Sequence, residues 1–238
     1  MIRRWLRIAP IACILACVAV PPEAAGQTRS EWQASFTLGS DYRRYGLSQL
    51  NSGVAVQAGI DYRHRAGWFA GAGVANVDYG FNRFDTGRDY QVDAYVGYGW
   101  DPPAWDLSVA AHRYRYPGAV VGYDYSALTV GAIYRERVVV STSYTDALLA
   151  RWGPALDAEV GLIWPLRLDA ELSATLGRFD ARERATWSYT HWNVGLSKVY
   201  RRLGIDVRYY GSSLEEALPI GDPTGPHWVL SMSYAVGR

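Results

Sequence analysis

Leu156-Asp157-Ala158-Glu159-Val160-Gly161-Leu162-Ile163-Trp164, followed after Pro165 by Leu166-Arg167-Leu168-Asp169-Ala170-Glu171-Leu172-Ser173-Ala174-Thr175-Leu176, decides the fold class of this chain. Apolar side chains fall on every second position of both runs, opposite Asp157 and Glu159 in the first and Arg167, Asp169 and Glu171 in the second. A period of two is the mark of a strand with one apolar and one polar face, whereas a helix repeats every 3.6 residues. The second run is long for a strand of a soluble protein.

The same alternation recurs outward from this stretch. Trp32, Ala34, Phe36 and Leu38 form one stripe, Val54 to Tyr62 a second, Tyr90 to Tyr98 a third, Leu203 to Tyr209 a fourth and Trp228 to Val236 the last. Weaker runs lie near residues 68–77, 105–113, 123–134, 138–144 and 188–198. Together these give about twelve candidate strands, with ten as the smaller alternative. An even number lets both ends of the chain lie on one side. The connections alternate in length, short at Arg63–Gly67, Trp100–Ala104, Arg135–Arg137, Trp164-Pro165 and Tyr200–Leu203. They are longer at Tyr42–Gly53, Asp78–Asp89, Tyr114–Tyr123, Thr145–Pro154, Arg178–Ser188 and Ser212–Pro226. Tight turns on one rim and longer loops on the other are the layout of an outer-membrane barrel.

Composition agrees. With 18 Tyr and 10 Trp against 5 Phe, and 24 Gly, the chain favours strands and disfavours helices. Alternation alone does not separate a membrane barrel from a soluble one, whose apolar face turns inward. The stripe itself does, because Trp, Tyr and Phe sit at strand ends with Leu, Val and Ala between them, as interfacial girdles require. The expected fold is therefore all-β, an antiparallel transmembrane barrel spanning residues 27–238.

Residues 1–26 read as a secretory signal, with Arg3, Arg4 and Arg7 ahead of an apolar stretch and small residues near a cleavage point. Both cysteines, Cys13 and Cys17, lie inside it. Ile14-Leu15-Ala16-Cys17 loosely matches a lipoprotein box, which leaves lipidation of Cys17 as an alternative to cleavage nearer residue 26. Loss of the leader turns a formal charge of +1 into −1. Such a balance offers nucleic acid nothing to bind.

Catalytic and metal chemistry find little support in the linear order. His64, His112, His191 and His227 show no clear spacing to a serine and an acid, and no pair of residues has metal-ligand spacing. Glu215-Glu216 fall in a Pro/Gly-rich loop, and Gly71 and Gly73 read as small residues that allow curvature or close packing. What remains is the inward face: Gln57, Asp61, Asp93, Glu159, Arg167, Asp169, Glu171, Asp206 and Arg208 are the expected pore-lining residues. Their mixed signs fit either a water-filled path for small polar solutes or ions, or a lumen plugged by ion pairs.

Several segments match a known family in one order. They are Ser40-Asp41-Tyr42, Gly46-Leu47-Ser48-Gln49, Gln57-Ala58-Gly59-Ile60-Asp61-Tyr62, Ala75-Asn76-Val77-Asp78-Tyr79-Gly80, Val92 to Tyr98, Tyr114-Arg115-Tyr116-Pro117-Gly118, Tyr123-Asp124-Tyr125-Ser126, and Ser188-Tyr189-Thr190 with Val194 to Lys198. In these the sequence resembles the TorF family of porins, the Gcw_chp group of outer-membrane proteins. It departs from their pattern at Tyr45, Ala127 and His191. The resemblance implies a Gram-negative outer-membrane location and passive transport of small polar solutes, without cofactor or enzymatic turnover. The implied partners are outer-membrane lipid and the barrel insertion machinery. A closed structural or adhesion barrel, and an exported soluble barrel that binds a small ligand, stay open as alternatives.

Overall fold

The computed structural model describes residues 30–50, 53–78, 89–117, 123–147, 153–183, 187–214 and 226–237. The expected leader with Cys13 and Cys17, and Glu215-Glu216, lie outside the described residues. The strands are β1 (Glu31–Gly39), β2 (Arg43–Arg44), β3 (Leu47–Ser48), β4 (Ala55–Arg63), β5 (Trp68–Val77), β6 (Asp89–Trp100), β7 (Trp105–Arg115), β8 (Tyr125–Tyr134), β9 (Val138–Thr145), β10 (Ala155–Pro165), β11 (Ala170–Ala181), β12 (Tyr189–Tyr200), β13 (Leu203–Ser212) and β14 (His227–Gly237). No helix among the described residues is long and apolar enough to cross a membrane.

Twelve of these strands close into an antiparallel barrel in simple up-and-down order, with β1 hydrogen-bonded to β4 on one side and to β14 on the other. The β1–β14 ladder runs from Gln33 opposite Gly237 to Gly39 opposite Ser231. β2 and β3 pair only with each other. Because β1 starts and β14 ends on the rim that carries the tight turns, both ends of the barrel leave from that rim, as the even strand number requires.

The two faces are inverted relative to a soluble barrel. Side chains exposed on the outside include Val130, Val140, Val160, Leu176, Leu196 and Leu230. Those buried on the inside include Gln91, Ser141, Asp157, Asn193, Asp206 and Arg208. Aromatic side chains bracket the outer apolar belt. Near the tight turns the rings of Trp32 and Tyr62 lie 4.5 Å apart, those of Trp68 and Tyr98 5.1 Å, and those of Trp105 and Tyr134 4.8 Å. Towards the long loops Tyr209 joins Trp192 at 5.5 Å and Trp228 at 4.9 Å. Cross-strand pairs of this kind add packing to the interfacial preference of each ring.

One boundary differs from the sequence reading. β10 continues through Pro165, and the turn is Leu166–Asp169, so Arg167 and Asp169 lie exposed in the turn and do not stand on the inner wall. Leu168 and Asp169 take φ of 63° and 56°, in the left-handed region, and Leu166 N–H donates to Ala170 C=O at 2.8 Å, which leaves a three-residue loop, Arg167–Asp169, between the paired residues. Such a turn keeps the parity of the alternation, so Leu166, Leu168 and Ala170 continue the apolar stripe straight through it. The turn also lacks the glycine or asparagine that usually marks one.

If the outer face meets hydrocarbon, Leu196→Arg, placed mid-strand on that face, destabilises the barrel by roughly 2–4 kcal/mol. Equilibrium unfolding from lipid vesicles in guanidinium chloride measures this; a cost near zero means that the face meets water.

Candidate functional site

The first long connection does not extend away from the barrel. Residues 41–50 fold back into the lumen, and all of them except Tyr45 are buried. Asp41 organises this hairpin: its Oδ1 accepts Tyr42 N–H at 2.8 Å and Ser48 Oγ–H at 2.6 Å, and its Oδ2 accepts Arg43 Nε–H at 2.8 Å. Arg43 also donates to Gly46 C=O at 3.0 Å, and Gln49 N–H donates to Tyr42 C=O at 2.7 Å. Tyr45 and Gly46 form the tip with φ of 50° and 79°. Glycine is needed there twice over, since the backbone is left-handed and a Cβ at Gly46 would stand 2.7 Å from the Cβ of His191.

The hairpin spans the lumen. On one wall the Arg44 guanidinium lies 4.1 Å from the centroid of Tyr114 on β7 and donates to the hydroxyl of Tyr125 on β8. On the opposite wall the Tyr45 ring packs 5.4 Å from Phe179 on β11 and 6.2 Å from His191 on β12, and Arg43 lies 5.9 Å from the Tyr210 ring on β13. Two small apolar clusters hold it. Tyr42 and Leu50 enter one with Val77, Tyr114, Tyr116 and Tyr125, and Leu47 enters the other with Phe179, Tyr189 and Leu214. Asp78 N–H donating to Gln49 C=O at 2.7 Å ties its far end to the end of β5.

Beneath the hairpin, polar side chains lie flat on the wall by a repeated device. A glycine on a middle strand lets side chains from its two neighbours meet above it. Over Gly71 of β5 the Tyr95 hydroxyl of β6 donates to Asp61 of β4; a Cβ at Gly71 would overlap that hydroxyl. Over Gly195 of β12, Arg208 of β13 reaches Ser173 Oγ of β11 at 2.9 Å, while also donating to Asn193 Oδ1 at 2.8 Å and Asp206 Oδ2 at 3.0 Å. Over Gly177 of β11, His191 Nε2 of β12 stands 2.8 Å from Asp157 Oδ1 of β10, with Nδ1 3.8 Å from Glu159 Oε1. Close approach of backbone and side chain is the reason for glycine at all three positions.

Of the expected pore-lining residues, Gln57, Asp61, Asp93, Glu159, Glu171, Asp206 and Arg208 stand on the inner face of their strands, while Arg167 and Asp169 lie in the turn. Asp93 lies above Gly73 and within electrostatic reach of Arg44 and Asp61. Asp206 is paired with Arg208. Near the tight-turn rim Arg63 faces Asp101, Glu31 and Asp106. Burial raises the carboxyl pKa of Asp101, in the β6–β7 turn, and Arg63 opposes that rise.

Sequence reasoning missed Arg44, Tyr95, Asp157 and His191. Asp157 carried a signal, since it shares a face with Glu159; His191 carried none, because its partners lie 34 and 32 positions earlier in the chain. Folding thus assembles a histidine and two carboxylates that linear spacing does not display, with their ligand atoms all within 4.8 Å of one another.

A closed antiparallel barrel, apolar outside and polar-lined within, has the fold of the outer-membrane β-barrel class. Within that class the chain belongs to the Gcw_chp family, described as bacterial protein of unknown function, whose model matches residues 23–219. No curated protein sequence matches it. Among solved structures it is similar to the KdgM porin, with 11% identity, a TM-score of 0.55, and 85% of this chain and 98% of that chain covered. It is also similar to Salmonella typhi OmpF, with 8% identity, a TM-score of 0.47, and 87% and 97% covered. Escherichia coli outer membrane phospholipase A gives 12% identity, a TM-score of 0.49, and 87% and 96% covered.

The grip of Arg44 on the hairpin is open to a direct check, because the chain beyond residue 26 has no cysteine. Ser48→Cys, at a position 2% exposed, should react slowly with a bulky maleimide. Adding Arg44→Ala removes a desolvated cation–π contact of about 2 kcal/mol, and labelling should quicken by roughly 30-fold. Equal labelling rates in the two backgrounds would show that Arg44 does not hold the hairpin.

Proposed function

We propose that the protein is a narrow outer-membrane channel for passive diffusion of small polar solutes and ions, preferring cations, with the hairpin of residues 41–50 as its constriction. The observation that carries this reading is the inner wall. Asp61, Asp93, Asp157, Glu159, Glu171 and Asp206 face the lumen, and among the described residues the cations of the wall are Arg63 and Arg208, the latter paired with Asp206, while the hairpin adds Arg44 and an Arg43 paired with Asp41. A ring of carboxylates in a low-dielectric tube lowers the energy of a cation and raises that of an anion. The KdgM likeness supplies the fold alone, and the resemblance to TorF porins points the same way.

In this reading the tight-turn rim and both ends of the barrel face the periplasm and the long loops face outward. Insertion depends on the barrel insertion machinery, after export directed by residues 1–26. Transport of this kind needs no cofactor and no turnover. A second reading, a closed structural or adhesion barrel, is favoured by one observation, the reach of the hairpin from Tyr114 to Phe179 across the lumen.

Planar-bilayer recording of the refolded protein in a salt gradient separates the two. The channel reading expects small steady openings with a cation-selective reversal potential, moved towards zero by Asp61→Asn with Asp93→Asn. It also expects a several-fold larger conductance when residues 43–48 are replaced by a short Gly-Ser turn. An inserted protein that is silent as it stands and conducts only after that replacement is a closed barrel. One silent in both forms is no porin.

A further inference from the structure

The cluster above Gly177 has a geometry that neither the hairpin nor a charged wall requires. His191 Nε2 stands 2.8 Å from Asp157 Oδ1, a normal hydrogen bond in which the imidazole N–H donates to the carboxylate. In the neutral ring that bond keeps the proton on Nε2 and leaves Nδ1 with its lone pair. Nδ1 points across 3.8 Å to Glu159 Oε1, too far for a hydrogen bond, and it makes none among the described residues. Two bonds of about 2.1 Å, meeting at an open angle on one ion, would span that gap. The side chains of His191, Asp157 and Glu159 are only 2%, 5% and 10% exposed, so a lone pair and a carboxylate face each other almost out of reach of water.

We propose that His191 and Glu159 are the protein ligands of a divalent transition-metal site on the inner wall, with Asp157 as the positioning residue on the far side of the imidazole. The arrangement is the carboxylate–histidine–metal order in which the outer carboxylate orients the ring and raises its basicity. Water completes the coordination. One nitrogen with one carboxylate oxygen favours zinc, nickel or cobalt over calcium and magnesium, which take oxygen shells. Gly177 is part of the design, because a Cβ there would overlap the His191 ring and close the cleft in which imidazole and carboxylates meet. The site lies at the foot of the hairpin tip, where Gly46 rests on His191. The proposal does not depend on conduction.

The test is metal binding to the folded barrel in detergent. Chelator-stripped protein is titrated with zinc by calorimetry, and with cobalt while its visible absorption is recorded. One ion per barrel is expected. His191→Ala and Glu159→Gln should each weaken binding by more than ~10-fold, and Asp157→Asn by ~10–100-fold. His112→Ala, which removes another buried histidine of the wall, should leave the affinity unchanged. Heat-modifiable migration on gels establishes that each variant is folded, and Gly177→Ala in a folded barrel should lose binding while retaining all three side chains. Absence of saturable binding to the folded wild-type barrel overturns the proposal. So does binding that survives His191→Ala, since it then belongs to another site.

Discussion

The ladder between β1 and β14 is the contact on which the remainder of the structure depends. In hydrocarbon an unpaired strand edge leaves a row of N–H and C=O groups without partners, each at a cost of several kcal/mol. Pairing from Gln33–Gly237 to Gly39–Ser231 removes both edges at once. Once the sheet is closed, its two faces are no longer alternatives: one lies outside and the other encloses the lumen. The apolar stripes of all twelve strands must then point out, and the polar stripes must satisfy one another inside.

The interior meets that demand without a hydrophobic core running its length. In its lower and middle parts long polar side chains lie along the wall across Gly71, Gly177 and Gly195, each reaching from one strand to the next but one. This adds side-chain cross-links over the backbone ladders. In the half nearer the long loops, the inward hairpin supplies what the wall lacks, dividing the aromatic residues into two clusters and neutralising Arg43 with its own Asp41. A buried ion pair gives no assured stability by itself, but here it fixes the hairpin's shape, since Asp41 also holds Tyr42 and Ser48.

Legibility in the sequence followed the range of the interaction. Strands and girdles were readable because period-two alternation and terminal Trp and Tyr are local and repeated twelve times around the barrel. The turn at Leu166–Asp169 was not, because three residues between the paired Leu166 and Ala170 leave the alternation unbroken. The hairpin misled in a different way. Asp41, Arg43 and Arg44 are residue types expected in a solvated loop, and only Tyr114, Tyr125 and Phe179, contributed by three later strands, give them a buried place. The inward position of Asp61, Asp93 and Asp206 could be read from strand parity, whereas the meeting of His191 with Asp157 and Glu159 needed the register of three strands.

The hairpin belongs to the first connection in the chain, yet the surfaces that receive it come from β7 and β8 on one side and from β11, β12 and β13 on the other. It therefore has no complete seat until nearly the whole sheet has been laid down. The earliest loop to be made is the last to find its place, and its span acts as a gauge: a barrel one hairpin wider or narrower would leave Arg44 or Tyr45 without its partner.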